Sequence, residues 1–174
     1  MPTIQGFRDT FEGSRSNRYK ITGNVPDDIA EITDNAFELY AKSVSFPGSA
    51  IGMIPVSYQG RVVKFTGERQ FAEWSIQVYD STGPDNLREL FETWIEKSDG
   101  ANTHKQKYDN AAASWTVQFD DTGADSFQKT MTLYNCWPID ISAIDLNYEA
   151  ADSFAEFTLT LAYDFHQKSS NVSG

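Results

Sequence analysis

Apolar and polar residues alternate along most of this 174-residue chain, and a period of two means extended strands with one face buried. From Ala155 to Phe165 the pattern is unbroken: Phe157, Leu159, Leu161, Tyr163 and Phe165 point one way, Glu156, Thr158, Thr160 and Asp164 the other. Phe71 to Tyr79 repeats it with Trp74, Ile76 and Val78 against Glu73, Ser75 and Gln77, and Trp115, Val117 and Phe119 mark a third strand. Shorter strands are predicted at Tyr19 to Thr22, Phe37 to Phe46, Gly60 to Thr66 and Lys129 to Tyr134. Between Ile139 and Tyr148 the alternation changes phase near Ser142-Ala143, as at a bulge or bend. The fold class is mainly β.

One segment has a different period. Leu87, Leu90, Phe91, Trp94 and Ile95 form a single helical stripe, which predicts one amphipathic helix over about residues 84–97. Gly83-Pro84 opens it, Asp85 suits its positive end, and Lys97 and Gly100 close it. The stripe has to cover a sheet, so these five residues are core. With 40% hydrophobic and 14% aromatic residues, no internal repeat and no dividing linker, residues 1–174 are expected to be one domain. Asp99 to Asn110 and the Ser-rich tail 168–174 are expected to be flexible.

Several function classes find no support. No run of about twenty apolar residues is present, so no membrane anchor is expected, and the N-terminus lacks the apolar core of a secretory signal. The formal charge of -11 disfavours binding to phosphate. His104 and His166 have no Cys or His at ligand spacing, and Cys136 reads as a thiol buried in a strand. The acidic groups Asp27-Asp28, Glu31, Asp34 and Asp120-Asp121, Asp125 lack the order of a calcium loop. No phosphate loop, nucleophile elbow or dinucleotide fingerprint appears. Catalytic residues, cofactor and metal are each expected to be none.

The run Phe46-Pro47-Gly48-Ser49-Ala50-Ile51-Gly52-Met53-Ile54-Pro55-Val56 is too apolar for an ordinary exposed connection. It reads either as a loop folded onto its own core or as a segment that meets another chain. Together with Gly67-Glu68-Arg69-Gln70-Phe71-Ala72-Glu73-Trp74, it resembles the tail tube proteins of myoviruses. The helix ending Phe91-Glu92-Thr93-Trp94, the Tyr134-Asn135-Cys136-Trp137-Pro138 turn and the closing strand Phe157 to Phe165 are similar to that family in the same order. The match covers residues 44–98 and 131–165; the 27–34 and 99–110 segments depart from it.

The resemblance implies a single-domain β-sandwich or barrel-like fold with one flanking helix. Six copies would form a ring, pool strands into a large inner barrel, and stack into a tube inside a contractile sheath. Implied partners are further copies, tail sheath, baseplate and tail terminator proteins, with DNA passing unbound; the place is the virion tail, assembled in the host bacterial cytoplasm. Six copies carry a formal -66, six times -11. The subunit interface is expected at Pro47, Ile51, Met53, Ile54 and Pro55, with Arg61, Lys64 and Arg69 of the following hairpin. The inner tube of a type VI secretion system or of a phage-tail-like bacteriocin shares this architecture. From other classes, a carbohydrate-binding sandwich would use Trp115 or Tyr148 as a stacking platform, and a hydrolase would need paired carboxylates.

Overall fold

The structure, a computed structural model, describes Ile4 and residues 16–26, 29, 40–83, 86–99, 113–121, 127–144, 146–147 and 153–169. Its elements run β1 (Tyr19–Gly23), β2 (Ala41–Val44), β3 (Ser49–Tyr58), β4 (Arg61–Phe71), β5 (Trp74–Tyr79), α1 (Leu87–Asp99), β6 (Ala113–Asp121), β7 (Phe127–Ile141), β8 (Glu156–Ala162) and β9 (Phe165–Ser169). Among the described residues the chain is mainly β with one long helix, as the periodicities require.

The body is two antiparallel sheets that share β7. Sheet I has the order β1-β6-β7-β9, and sheet II the order β7-β8-β5-β2. Strand β7 changes sheets at a corner where Asn135 takes φ 55. Its partner bends at the same level: β8 pairs from Trp137 onward and β9 from Tyr134 back, with the same register sum on both sides of the break. Asp164 donates its backbone N–H to the Tyr134 carbonyl at 3.1 Å, and Asn135 Nδ2 donates to Asp164 Oδ2 at 2.6 Å. On the far side Tyr19 Oη lies 3.0 and 2.8 Å from the Ala41 and Lys42 carbonyls, bringing β1 of sheet I beside β2 of sheet II.

The core fills the space between the sheets. Trp74, Ile76, Val78, Phe157, Leu159 and Leu161 come from sheet II, and Ile21, Trp115, Val117 and Leu133 from sheet I. Trp74 and Trp115 meet edge to face at 5.9 Å, and Phe91 of α1 packs on Trp115 at 6.2 Å. Leu87, Phe91 and Trp94 are buried, while Leu90 and Ile95 are half-buried at the margin of the stripe.

Several expectations need correction. The helix was expected over 84–97 and runs from Leu87 to Asp99. Asn86 caps it: Oδ1 accepts from the Glu89 N–H at 3.3 Å, and Nδ2 reaches Glu89 Oε2 at 3.5 Å, a signal hidden behind the Pro-Asp pair. Asp99 therefore belongs to the helix and not to a flexible loop. Residues 84, 85 and 100–110 lie outside the described residues.

The strand expected from Ala155 to Phe165 is broken at Tyr163-Asp164. The corner inverts the phase, so Tyr163 is buried but Phe165 is exposed and His166 turns inward. His166 thus stands within a strand and not past the last one. Lys168 and Ser169, expected in the flexible tail 168–174, pair with Met131 and Thr130, the apolar signal being lost at the edge of the sheet; residues 170–174 lie outside the described residues. The strands expected at 129–134 and 139–148 are partly one strand, β7, and the Tyr134-to-Pro138 turn is its corner. The phase change falls between Pro138 and Asp140, ahead of Ser142-Ala143. Phe71 closes β4 and is not the start of β5.

Candidate assembly surface

Strands β3 and β4 pair only with each other, forming a ribbon apart from the body. Gln59 and Gly60 turn it with φ 50 and 78, a two-residue turn in which the second position favours glycine. Opposite pairs Ile54–Phe65, Val56–Val63 and Tyr58–Arg61 share one face, and Met53–Thr66, Pro55–Lys64 and Ser57–Val62 the other. Near the root the register shifts, with two residues of β4 taking up one extra place opposite Gly52. The close approach requires glycine here, since a Cβ on Gly67 would stand 2.9 Å from the Gly52 carbonyl carbon.

The ribbon's apolar side chains are in water. Ile54 is 52% exposed, Phe65 56%, Met53 57% and Val62 59%, and Ile51, Val56, Tyr58 and Val63 are exposed as well. An isolated two-stranded ribbon is marginal in water, and complete burial of one such side chain stabilises by about 1.5–3 kcal/mol. Eight of them, on both faces, make this an exposed apolar patch of the kind that marks an interaction surface.

The root of the ribbon is held by polar contacts. Arg69 Nη2 donates to Ser49 Oγ at 3.0 Å and to His166 Nε2 at 3.1 Å, and the guanidinium lies 4.8 Å from the Phe71 ring. An arginine has no acceptor, so Nε2 carries the lone pair and Nδ1 the proton, facing Tyr163 Oη at 3.4 Å. The Phe71 ring stands edge-on to the imidazole at 4.9 Å. Burial lowers the His166 pKa below 6.5, and the charges of Arg69 and Lys168 lower it further.

Stability therefore depends on pH through His166. Its folded pKa lies below the unfolded 6.5, so below that pH the unfolded chain binds a proton that the folded chain does not. We expect the thermal midpoint to fall as pH drops from 7 through 6.5 towards the folded pKa. His166→Gln, which keeps an acceptor for Arg69, should flatten that part of the profile; equal slopes in both proteins would remove His166 from the account.

The residues expected at the interface separate into two groups. Ile51, Met53, Ile54, Pro55, Arg61 and Lys64 are exposed along the ribbon, but Pro47 is buried before it and Arg69 is tied at its root. The expected Pro47-to-Pro55 loop is a strand from Ser49 onward. Tyr58, Val62, Val63 and Phe65 were missed as surface residues; the signal was the adjacent apolar pair Val62-Val63, which no one-sided strand explains.

Other candidates are placed differently. Trp115, the proposed sugar platform, is fully buried. Cys136 is buried, which pushes its pKa up to about 12 and leaves almost no thiolate at neutral pH. Among the described residues no group of three or more His, Cys, Asp or Glu could hold a metal ion, and no helix is long and apolar enough to cross a membrane. Residues 27, 28, 31, 34, 104, 125 and 148 lie outside the described residues, and of 120 and 121 only the backbone is described.

Residues 14–169 match the family model described as phage tail tube protein. The chain is 28% identical over 171 residues to the tail tube protein of Serratia phage KSP90, covering 94% of this chain and 95% of the relative. It is 24% identical over 131 residues to tail tube protein gp19 of Enterobacteria phage T4, covering 74% and 80%. Its fold is similar to a chain in the six-fold symmetrised baseplate of the anti-feeding prophage, with a TM-score of 0.70, 13% identity, and 92% and 98% of the two chains covered.

Proposed function

This chain belongs to the phage tail tube protein family, a family of structural virion components and not of enzymes, and we propose that it builds its tube by stacking hexameric rings through the β3–β4 ribbon. The observation that carries this reading is the ribbon itself, apolar on both faces and without a partner strand beyond its own hairpin among the described residues. A contact of one surface with a different surface, repeated along an axis, propagates into a filament. The exposed residues Ile51, Met53, Ile54, Pro55, Arg61 and Lys64 supply the stacking contact, with Pro47 and Arg69 setting the direction in which the ribbon leaves the body.

The six-fold symmetry of the anti-feeding prophage baseplate supports a hexamer. In the assembled tail the tube runs from baseplate to terminator inside a contractile sheath, built in the host cytoplasm, and gives the genome a passage. The charge of -11 per chain supports passage without binding, because an acidic body offers phosphate little purchase. The phage relatives, aligned over most of their length, favour this over the inner tube of a secretion system.

Negative-stain microscopy of the purified chain at rising concentration tests the proposal. Rings or hollow rods of uniform bore are expected; a chain that stays monomeric at high concentration and also beside its own baseplate and sheath overturns it.

A further inference from the structure

His166 is the only described residue whose side chain ordinarily titrates near neutral pH, and it is buried where the ribbon leaves the body. Arg69 of β4 spans that root. Its Nη2 reaches Ser49 Oγ on β3 at 3.0 Å and His166 Nε2 on β9 at 3.1 Å. One side chain thus ties both ribbon strands to the body. Phe71, the last residue of β4, stands edge-on to the imidazole at 4.9 Å and lies 6.0 Å from the Tyr163 ring. The root consists of three pairs, Ser49–Phe71, Ala50–Gln70 and Ile51–Arg69, set off from the outer ladder by the register shift at Gly52. The outer ladder, from Met53–Thr66 to Tyr58–Arg61, pairs with no strand of the body among the described residues. It inherits its direction from the root.

The Arg69–His166 bond exists in one protonation state only. A guanidinium donates and cannot accept, and it keeps its protons throughout the physiological range. A proton on Nε2 therefore removes the acceptor and leaves two cations at hydrogen-bond distance. The groups facing the imidazole do not compensate that charge. Arg69 comes from β4 and Lys168 from β9 itself, and the Tyr163 hydroxyl of the corner lies 3.4 Å from Nδ1. From β7, Leu133 is the register partner of His166, and the Cys136 thiol stands behind Tyr163. The carboxylate at the corner, Asp164, is engaged by Asn135 Nδ2 at 2.6 Å. Burial and two cations accordingly hold the ring neutral at neutral pH.

We infer that the Arg69–His166 pair is a proton-sensitive latch on the ribbon: neutral His166 holds the ribbon in the direction that assembly requires, and protonation releases it. This rests on the tube reading above and adds a control over it. A stacked subunit has its ribbon fixed, so its His166 binds a proton less readily than that of a free subunit. Assembly then expels up to one proton per subunit. Below the pH at which the free His166 titrates, the assembly constant falls by up to about tenfold per pH unit. The carboxylates act in the opposite sense. Acid reduces the formal -11 and with it the repulsion between copies, which favours association. Loss of tubes in mild acid is therefore opposite to what net charge alone dictates, and it marks the latch.

Pelleting of tubes between about pH 7.5 and about pH 5.5 tests the latch, with near-ultraviolet circular dichroism confirming a folded body at each pH. The parent should need a rising concentration to assemble as the pH falls. His166→Gln offers Arg69 an amide oxygen that does not titrate, and should assemble alike across the range. His104→Gln, which changes the only other histidine, should keep the parent's response; a response lost there overturns the assignment to His166. Arg69→Met keeps an unbranched stem over Phe71 but has no donor, and should assemble at neutral pH as poorly as the parent does in acid. Hydrogen exchange below the assembly concentration reads the ribbon directly. In acid the root amides of residues 49–51 and 69–71 should exchange faster in the parent than in His166→Gln, and equally at neutral pH. If the two proteins respond to acid alike in either measurement, the latch is overturned, and the tube reading stands wherever tubes form. A parent that forms tubes at no pH overturns the tube reading instead, and the exchange difference at the root then upholds or overturns the latch by itself.

Discussion

Ile54→Asp should leave a folded protein that no longer polymerises. Ile54 is half exposed on the ribbon, opposite Phe65 and beside Val56 and Val63, and contributes nothing to the core between the sheets. Thermal unfolding of the body should therefore match the parent. In a stacked assembly the same position is buried, and an unpaired buried carboxylate costs several kcal/mol. Every 1.4 kcal/mol is a factor of ten in an equilibrium constant, so each stacking contact weakens by roughly two to three orders of magnitude, repeated at every subunit of a ring. Ile54→Val removes about one methylene, worth about 0.8 kcal/mol, and should raise the critical concentration only severalfold. Sedimentation and microscopy read both effects. Tubes of normal length from the aspartate variant would take the ribbon out of the stacking contact.

The strands that build the body were legible because each buries one face. Trp74, Ile76 and Val78, then Phe157, Leu159 and Leu161, then Trp115 and Val117 are buried at every second position as the alternation requires. The helix stripe was equally clear and only its ends were misplaced, the start because the Asn86 cap stands two residues after a proline that also marks helix starts. What alternation cannot show is a corner. At Asn135 and Asp164 the two strands pass together from one sheet to the other, and the side-chain phase inverts across a break in the ladder with no change of register. Phe165 and His166 were exchanged in consequence, and β7 was read as separate pieces.

The ribbon was hard to read for another reason. A strand that is apolar on both faces has no alternation, and Pro55 argued further against a strand. A two-stranded ribbon has only edge strands, the setting in which proline is tolerated, and in this one both faces carry exposed apolar side chains. The stretch was therefore legible as unusually apolar for an exposed segment but not as secondary structure. The Arg69–His166 contact had no sequence signal at all, since the two residues are 97 positions apart and meet only once the corner in β9 is formed.

Trp74→Ala should produce the largest loss of stability of any single substitution considered, and for a reason unlike that at Ile54. Trp74 is fully buried between the sheets against Trp115, and its Nε1 donates to the Ser45 carbonyl at 2.6 Å. Truncating a buried tryptophan typically costs about 3–5 kcal/mol through lost burial and the cavity left behind. Removal of the donor also orphans the Ser45 carbonyl, adding about 1 kcal/mol or more. Against a typical total stability of about 5–15 kcal/mol, this places the body near the limit of folding. Trp74→Phe keeps most of the packing and should lose roughly 1–2 kcal/mol, chiefly the hydrogen bond. Ser45 sits in the connection from β2 to the ribbon, whose next residue, Phe46, packs edge-on to Phe119 at 4.6 Å. The same indole thus holds the core and the root of the ribbon, so Trp74→Ala should abolish tubes together with a lowered urea midpoint, whereas Ile54→Asp abolishes them with the midpoint unchanged. A loss below about 1 kcal/mol for Trp74→Ala, within the range of an ordinary surface change, would mean that the two sheets do not unfold as one unit around this residue.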